Sequence, residues 1–452
     1  MIAEESQNVL LSAAPQRADE AGTARLEADT ASLTLAPMRE EPTEPRDIPL
    51  ERAHSLLWLS VAVAVGTRLG LLVYALVASY VLDRRHIAAH LLVPRPDRLH
   101  GFLGHLLDAW VNWDGVWYVR VASHGYRTIA DTAFYPLYPL LLRAIYALFG
   151  SWEAAGVVVS ITCFIAATGL LYRLLAEDFG AKVAFWSVVF LSLAPTSFFF
   201  QATYRESLFL LLSVATFYLA RHQRWLLAGS TGMLATLTHS TGLLLVIPLA
   251  ILLWTAYRRG QLHGAGRLLS GAVGLVLIPL GMVAYMAILL VSLGDPLAFM
   301  KAETFWGRHL SVPWRTIPQG LESGYHALLY YIHGFSAGTG PTWPHTAAMA
   351  FGNFTAALAL IVLAVLILLS WRRLPLHYWL YGLAMAGFPL MFSTAYRPLL
   401  SLPRLVLPAF PLFIAATLLT QRRPVLRWVL VSLSTLALGY LTLRYVHFAW
   451  VA

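Results

Sequence analysis

Between residues 112 and 126 the chain reads Asn-Trp-Asp-Gly-Val-Trp-Tyr-Val-Arg-Val-Ala-Ser-His-Gly-Tyr, its densest run of chemistry-bearing side chains. Asp114 is a carboxylate flanked by Trp113 and Trp117, and Gly115 beside it admits close approach of another group. A helix begun at Asp114 puts Asp114, Tyr118 and Val121 or Ala122 on one face and sets Arg120 one turn before His124. A carboxylate among aromatics at a membrane boundary suits general-base work. The same pattern suits an interfacial helix held by an aromatic belt, with Asp114 as its N-cap.

Four further segments place polar groups beside aromatics or prolines. Ala133-Phe-Tyr-Pro-Leu-Tyr-Pro-Leu140 carries two prolines three apart, which delay the helix start and leave carbonyls free near the interface. A plain kinked helix entry is the alternative. Pro195-Thr-Ser-Phe-Phe-Phe-Gln-Ala-Thr-Tyr-Arg-Glu-Ser-Leu-Phe209 ends with Arg205 adjoining Glu206, which opens a helix where the dipole favours a carboxylate. An ordinary capping acid with a snorkelling arginine reads the same way. Gly294-Asp-Pro-Leu-Ala-Phe-Met-Lys-Ala-Glu-Thr-Phe-Trp-Gly-Arg308, running on to Pro313-Trp314, sets Asp295, Lys301, Glu303 and Arg308 among aromatics. Tyr396-Arg-Pro-Leu-Leu-Ser-Leu-Pro-Arg404, ahead of Pro408-Ala-Phe-Pro411, brings Arg397 and Arg404. Each of these two also suits a plain interfacial loop.

The elements that must hold these segments are membrane spans. Of 452 residues 58% are hydrophobic and 12% charged, against about 25% charged in soluble domains, and the mean hydropathy is +0.64. A soluble enzyme and a disordered protein are both excluded. At about 20 apolar residues per span, the runs near 56–82, 154–176, 183–199, 207–221, 225–238, 241–256, 268–293, 346–370, 376–393, 403–420 and 425–446 give about eleven spans. Arg68 lies inside the first, at a depth where a charge faces a cavity or a partner. The run 134–149, short and opened by Pro136 and Pro139, is expected as a re-entrant or interfacial helix. The polar, acidic N-terminus does not read as a signal peptide.

Residues 1–52 carry five arginines against eleven carboxylates, net −6, and the rest of the chain is net +15. Only Lys182 and Lys301 are lysines, so the positive charge is guanidinium; this suits phosphate, and GC-rich coding produces it too. Cys163, the sole cysteine, builds neither a disulfide framework nor a metal cluster. Basic pairs in the short loops (Arg173 with Lys182, Arg221 with Arg224, Arg258 with Arg259 and Arg267, Arg372 with Arg373, Arg422 with Arg423 and Arg427) fall on one side, which is cytoplasmic by the positive-inside rule. The five segments described above then all lie outside, with the N-terminus inside. A basic, aromatic outer surface suits a phosphate-bearing lipid.

In order and spacing, WDGVWYVRVASHGY, AFYPLYPLL, ESLF and GDPLAFMKAETFWGRHLSVPW resemble the PIG-V family, the GPI mannosyltransferase 2 type, in its bacterial branch, over residues 56 to 420. The resemblance implies an all-α polytopic GT-C-type membrane glycosyltransferase with interfacial helices in its outer loops. It implies transfer of a sugar, mannose first, from a polyprenyl-phosphate donor to an acceptor hydroxyl on the extracytoplasmic face, with inversion. Residues 1–54 would be a disordered acidic cytoplasmic tail, and 55–452 the enzyme, with loops 83–133 and 294–345 forming the active-site face.

The family's catalytic carboxylate falls on Asp114. Arg308, Arg404, Arg397 and Arg205 are the expected ligands of the donor phosphate. Trp113, Trp117, Tyr118, His124, Tyr126, Glu206 and His239 are expected at the substrate. Two positions depart from the family's pattern: Thr238-His-Ser-Thr-Gly242 passes a phosphate role to His239, and an expected Arg-Tyr pair reads Arg404-Leu405. The implied partners are the lipid-linked donor, a lipid or glycan acceptor and the membrane, with no nucleic acid. No cofactor is called for, and a divalent cation on Asp114 stays open. The rival class is a multi-span transporter or lipid flippase, which would place its ionisable groups at midplane on broken helices.

Overall fold

The structure, a computed structural model, describes residues 50–81, 99, 101–262, 264–334, 342–449 and 451. Most of the expected tail, at 1–49, and the loop stretches 82–98 and 335–341 lie outside the described residues.

The described chain is almost wholly helical. It opens with α1 (Leu50–Val81), a single apolar helix. The segment that follows holds α2 (Gly101–Leu107) and α3 (Asp114–His124), and α4 (Leu137–Phe149) starts only after Pro136. At 13 residues α4 is about 20 Å long, well short of a hydrocarbon core of about 30 Å. Next come α5 (Trp152–Phe179), capped by the Ser151 hydroxyl, then α6 (Ala181–Ser192), α7 (Glu206–Arg221), α8 (Trp225–Thr238), α9 (Val246–Arg258) and α10 (Ala265–Leu293). A second long connection carries α11 (Ala298–Phe305) and α12 (Pro313–His333). The chain finishes with α13 (Ala347–Ser370), α14 (Leu376–Gly387), the one-turn α15 (Leu402–Leu405), α16 (Pro411–Thr420) and α17 (Pro424–Val446).

Among the described residues six helical segments are long and apolar enough to cross a bilayer: Ala53–Val81, Trp152–Phe179, Ser240–Arg258, Ala265–Leu293, Ala347–Ser370 and Pro424–Val446. The chain is a multi-pass membrane protein. Several of the other apolar runs are helix for only part of their length. The run 183–199 breaks before Pro195 and resumes as a 3₁₀ turn (Ser197–Phe200), and 376–393 passes into another (Phe388–Met391). The run 403–420 is divided between α15 and α16. Proline removes a donor and clashes with the preceding turn, and irregular backbone at membrane depth is tolerated where protein or a cavity surrounds it.

The helices pack through small residues, as lipid-embedded interfaces do. A Cβ on Gly229 of α8 would run into the Gly274 carbonyl of α10, and one on Gly324 of α12 into the Ala357 methyl of α13. Arg68 of α1 is fully buried. Its Nη1 donates to the Ser197 carbonyl, and Nη2 donates to the Ser192 carbonyl at 3.0 Å and to Ser197 Oγ at 3.1 Å. The guanidinium also lies 4.6 Å from the Phe164 ring centroid. One side chain thus closes the end of α6 and ties down the turn leading to Arg205 and Glu206. Arg68→Met should destabilise the protein by about 1–3 kcal/mol for each carbonyl it strands, and Arg68→Lys should recover only part, lacking the planar fork. Thermal melting in detergent checks this; an unchanged melt for Arg68→Met would remove the role.

A short antiparallel pairing joins the segment after α11 to the one after α14. β1 (His309–Leu310) pairs with β2 (Phe392–Ser393), His309 opposite Ser393 and Leu310 opposite Phe392. It brings the segment bearing Arg308 alongside the one leading to Arg397 and Arg404.

Candidate active site

Asp114 is the first residue of α3, and the N-cap is Trp113, whose φ of 54° is a left-handed value unusual for a side chain of this size. The structure therefore moves Asp114 one position inside the cap that sequence alone left open to it. The turn is held from both sides. The Asn112 carbonyl accepts from Gly115 N–H at 3.0 Å and from the Tyr204 hydroxyl at 3.1 Å, while Tyr204 Oη accepts the Asp114 N–H at 3.2 Å. Asn112 Nδ2 donates to the Tyr445 carbonyl of α17 at 2.9 Å.

The Asp114 carboxylate meets an arginine from the far end of the chain. Arg404 Nη1 donates to Asp114 Oδ2 at 2.7 Å, and Arg404 Nε lies 3.5 Å from Glu206 Oε1. Arg404 is 7% exposed and sits over the Phe199 and Tyr204 rings, 5.7 and 5.4 Å from their centroids. Burial works against its charge, yet Asp114 and Glu206 outweigh burial and hold its pKa above the ordinary arginine value. Glu206 opens α7 and is 3% exposed, and its Oε2 has no hydrogen-bond partner among the described residues. Arg205 donates to the Tyr118 hydroxyl at 2.7 Å.

A small cleft opens beside Arg404, lined among others by Arg205, Glu206, His239, Thr241 and Leu405. Burial above all, then the charges of Arg205, Arg404 and Arg308, push the His239 pKa well below its ordinary value, so the imidazole is neutral. Thr241 N–H donates to Nδ1 at 3.3 Å, which assigns the remaining proton to Nε2.

Arg308 lies within the field of the same charges. Burial lowers its pKa while Glu303, at 3.6 Å, pushes the other way. Arg397 lies apart, in a second pocket with Asn353, Ser401 and Pro403. Trp117 stacks on Phe134 and meets Trp306 edge-on at 5.1 Å; Trp113 packs near Phe448. Tyr126 donates to the Phe134 carbonyl at 2.7 Å, and His124, exposed at the far end of α3, contacts Ser123 Oγ. Among the described residues no three His, Cys, Asp or Glu side chains group as metal ligands would.

Sequence reasoning missed three supports of this site. Tyr204 and Tyr445 carry no local signal for their roles. Asp131 does: Thr128 and Asp131 form a capping box, and fully buried Asp131 also takes Arg120 Nε of α3 at 2.9 Å. Tyr204→Phe should destabilise the α3 start by about 1–3 kcal/mol and speed hydrogen exchange at the Asp114 amide. An unchanged melt with unchanged exchange would sever Tyr204 from Asp114.

The segment that delivers Asp114, Arg205, Glu206 and His239 has a recognisable sequence. Residues 61–258 match the mannosyltransferase (PIG-V) family. The PIG-V match contains those four residues and stops before Arg308 and Arg404. The chain is 30% identical over 155 residues to GPI alpha-1,6-mannosyltransferase 2 of Cricetulus griseus, covering 31% of each chain. It is 28% identical over 109 residues to GPI mannosyltransferase 2 of Drosophila pseudoobscura pseudoobscura, covering 22% of this chain and 24% of the relative. The matched stretch thus spans a third or less of these curated relatives. Among solved structures, ArnT from Cupriavidus metallidurans bound to undecaprenyl phosphate aligns with TM-score 0.45 and 16% identity over 83% of this chain and 62% of its own. An oligosaccharyltransferase from Archaeoglobus fulgidus, in complex with zinc and sulfate, aligns with TM-score 0.40 and 15% identity, over 88% and 53%.

Proposed function

We propose that the chain is a membrane glycosyltransferase that moves a sugar, mannose first, from a polyprenyl-phosphate donor to an acceptor hydroxyl, with inversion, on the extracytoplasmic face. The observation that carries this reading is the meeting of Asp114, Glu206 and Arg404, drawn from three segments up to 290 residues apart, beside a pocket with a second guanidinium.

Asp114 takes the proton of the acceptor hydroxyl. That oxygen bonds to the anomeric carbon from the side opposite the phosphate, and the bond from the anomeric carbon to the phosphate oxygen breaks. The phosphate leaves on its polyprenyl chain, its charge taken up by Arg404 and Arg205 with His239 Nε2–H as a further donor. Loss of one such contact would remove about 3 kcal/mol of transition-state stabilisation. Glu206 Oε2, buried without a partner, is suited to accept from a sugar hydroxyl. Trp117 of α3 and Trp306, packed edge-on, offer aromatic surface one turn along from Asp114. Arg397, which lines a separate pocket, has no part in this reading of the phosphate site.

Membranes containing the protein, given labelled polyprenyl-phosphate-mannose and lipid extract, should transfer label to an acceptor. Absence of transfer from every polyprenyl-phosphate hexose would sink the reading. Orientation has its own test. In a Cys163→Ala background, Met300→Cys should react with an impermeant thiol reagent from outside and Arg372→Cys should not, both side chains being exposed. Outside labelling of position 372 would invert the topology.

A further inference from the structure

The pairing of Asp114 with Arg404 assigns one guanidinium two duties that conflict. The carboxylate expected to receive a proton has its Oδ2 engaged by Arg404 Nη1 at 2.7 Å. The same guanidinium lines the pocket that would receive the donor's phosphate. Nearly buried, Arg404 cannot serve both with water as a go-between at no cost; an anion entering the pocket draws on the charge that now holds Asp114.

We propose that Asp114 and the donor phosphate compete for Arg404, so that phosphate binding releases Asp114, with Glu206 as the positioning residue that holds Arg404 during the exchange. This rests on the function proposed above and adds an order of events: the donor binds first, and the base is freed only when the leaving group is in place. The geometry supports the division of labour. Glu206 lies at Nε rather than at the Nη1 that Asp114 occupies, so it can keep its contact while Nη1 changes partners. Asp114 is 30% exposed at its side chain against 4% for Glu206, so Asp114 is the partner with water available when displaced. The aromatic bed of Phe199 and Tyr204 restricts how far Arg404 itself can move. Acceptor deprotonation without a donor is thereby suppressed, since the base is engaged until the phosphate arrives.

The competition has a counter-intuitive consequence. In the unliganded protein, the fraction of Arg404 held by Asp114 lowers the apparent affinity for phosphate, and removing the competitor restores it. The probe is a sugar-free polyprenyl monophosphate, titrated into purified wild-type protein, Asp114→Asn and Glu206→Gln in detergent, with matching melts confirmed. Asp114→Asn should bind it about tenfold more tightly than wild type, a coupling of ordinary size, and Glu206→Gln should bind it no more tightly than wild type. Equal tightening in both variants would mean simple charge repulsion and would overturn the competition. Unchanged or weaker binding by Asp114→Asn would overturn it too. If the wild type itself binds no polyprenyl phosphate, the proposed function fails and takes this inference with it. Should Asp114→Asn not fold, product-inhibition kinetics of the wild type decide: donor-first order is expected, and random order would end the proposal.

Discussion

Asp114→Asn should lower sugar transfer by about 10²–10⁴-fold, the range set by loss of a general base, while the protein inserts and melts close to wild type. Asparagine keeps the size of the side chain. The helix start does not depend on the carboxylate, because Trp113 holds the cap position and the Asp114 N–H bond to Tyr204 is made by the backbone. Arg404 keeps Glu206 as a partner. The loss is therefore chemical rather than structural. Purified variant and wild type are compared for transfer at saturating donor. A folded Asp114→Asn protein with near-normal transfer would refute the assignment and turn attention to Glu206.

Arg404→Gln should cost both stability and activity. The variant leaves Glu206 as an almost fully buried carboxylate without its guanidinium, and breaking a buried pair by removing one member costs about 3–5 kcal/mol. Transfer should fall by about 10²–10³-fold, the range for losing one transition-state contact, since the leaving phosphate would lose one of its proposed cations. Arg404→Lys keeps the charge but cannot reach Asp114 and Glu206 together with a planar fork, so its stability should lie between. The double variant Arg404→Gln with Glu206→Gln should regain part of the stability, because no buried carboxylate is stranded, and none of the activity. Melting curves and transfer assays on the four proteins separate the two losses. Wild-type melting by Arg404→Gln would show that the pairing contributes little.

Much of the site could be read from local sequence. The helix expected from Asp114 runs over Asp114–His124, and Glu206 opens α7 as the dipole argument suggests. These are local properties: a cap, a dipole, a turn of periodicity. The meeting of Asp114 with Arg404 is not, since 290 residues separate them and no pattern in either segment names the other. The same limit explains Arg397 and Arg404, seven positions apart and alike in sequence context, which face different pockets once Ser401 takes a left-handed φ of 62°.

Span counting shows a second limit. Hydropathy registers apolar residues and not whether the backbone stays helical, so 183–199 and 403–420 count as spans though proline-bearing turns divide them. Those turns are where Arg205, Glu206 and Arg404 are delivered. α7 runs from Glu206 to Arg221, about 22 Å along its axis, which puts the site at one end and Arg221 at the other. Asp178, at the Arg221 end, accepts from both Arg221 and Tyr378 and ties α5, α7 and α14 together there.

The central claim is a single displacement in which Asp114 takes a proton and Arg404 takes the leaving phosphate. The anomeric configuration of the first-turnover product tests it most directly, read by NMR or by linkage-specific glycosidases on product made from a donor of known configuration. The account expects inversion, an α-linked product from a β-linked donor. Retention of configuration would contradict it, because one displacement from the side opposite the phosphate inverts the anomeric carbon.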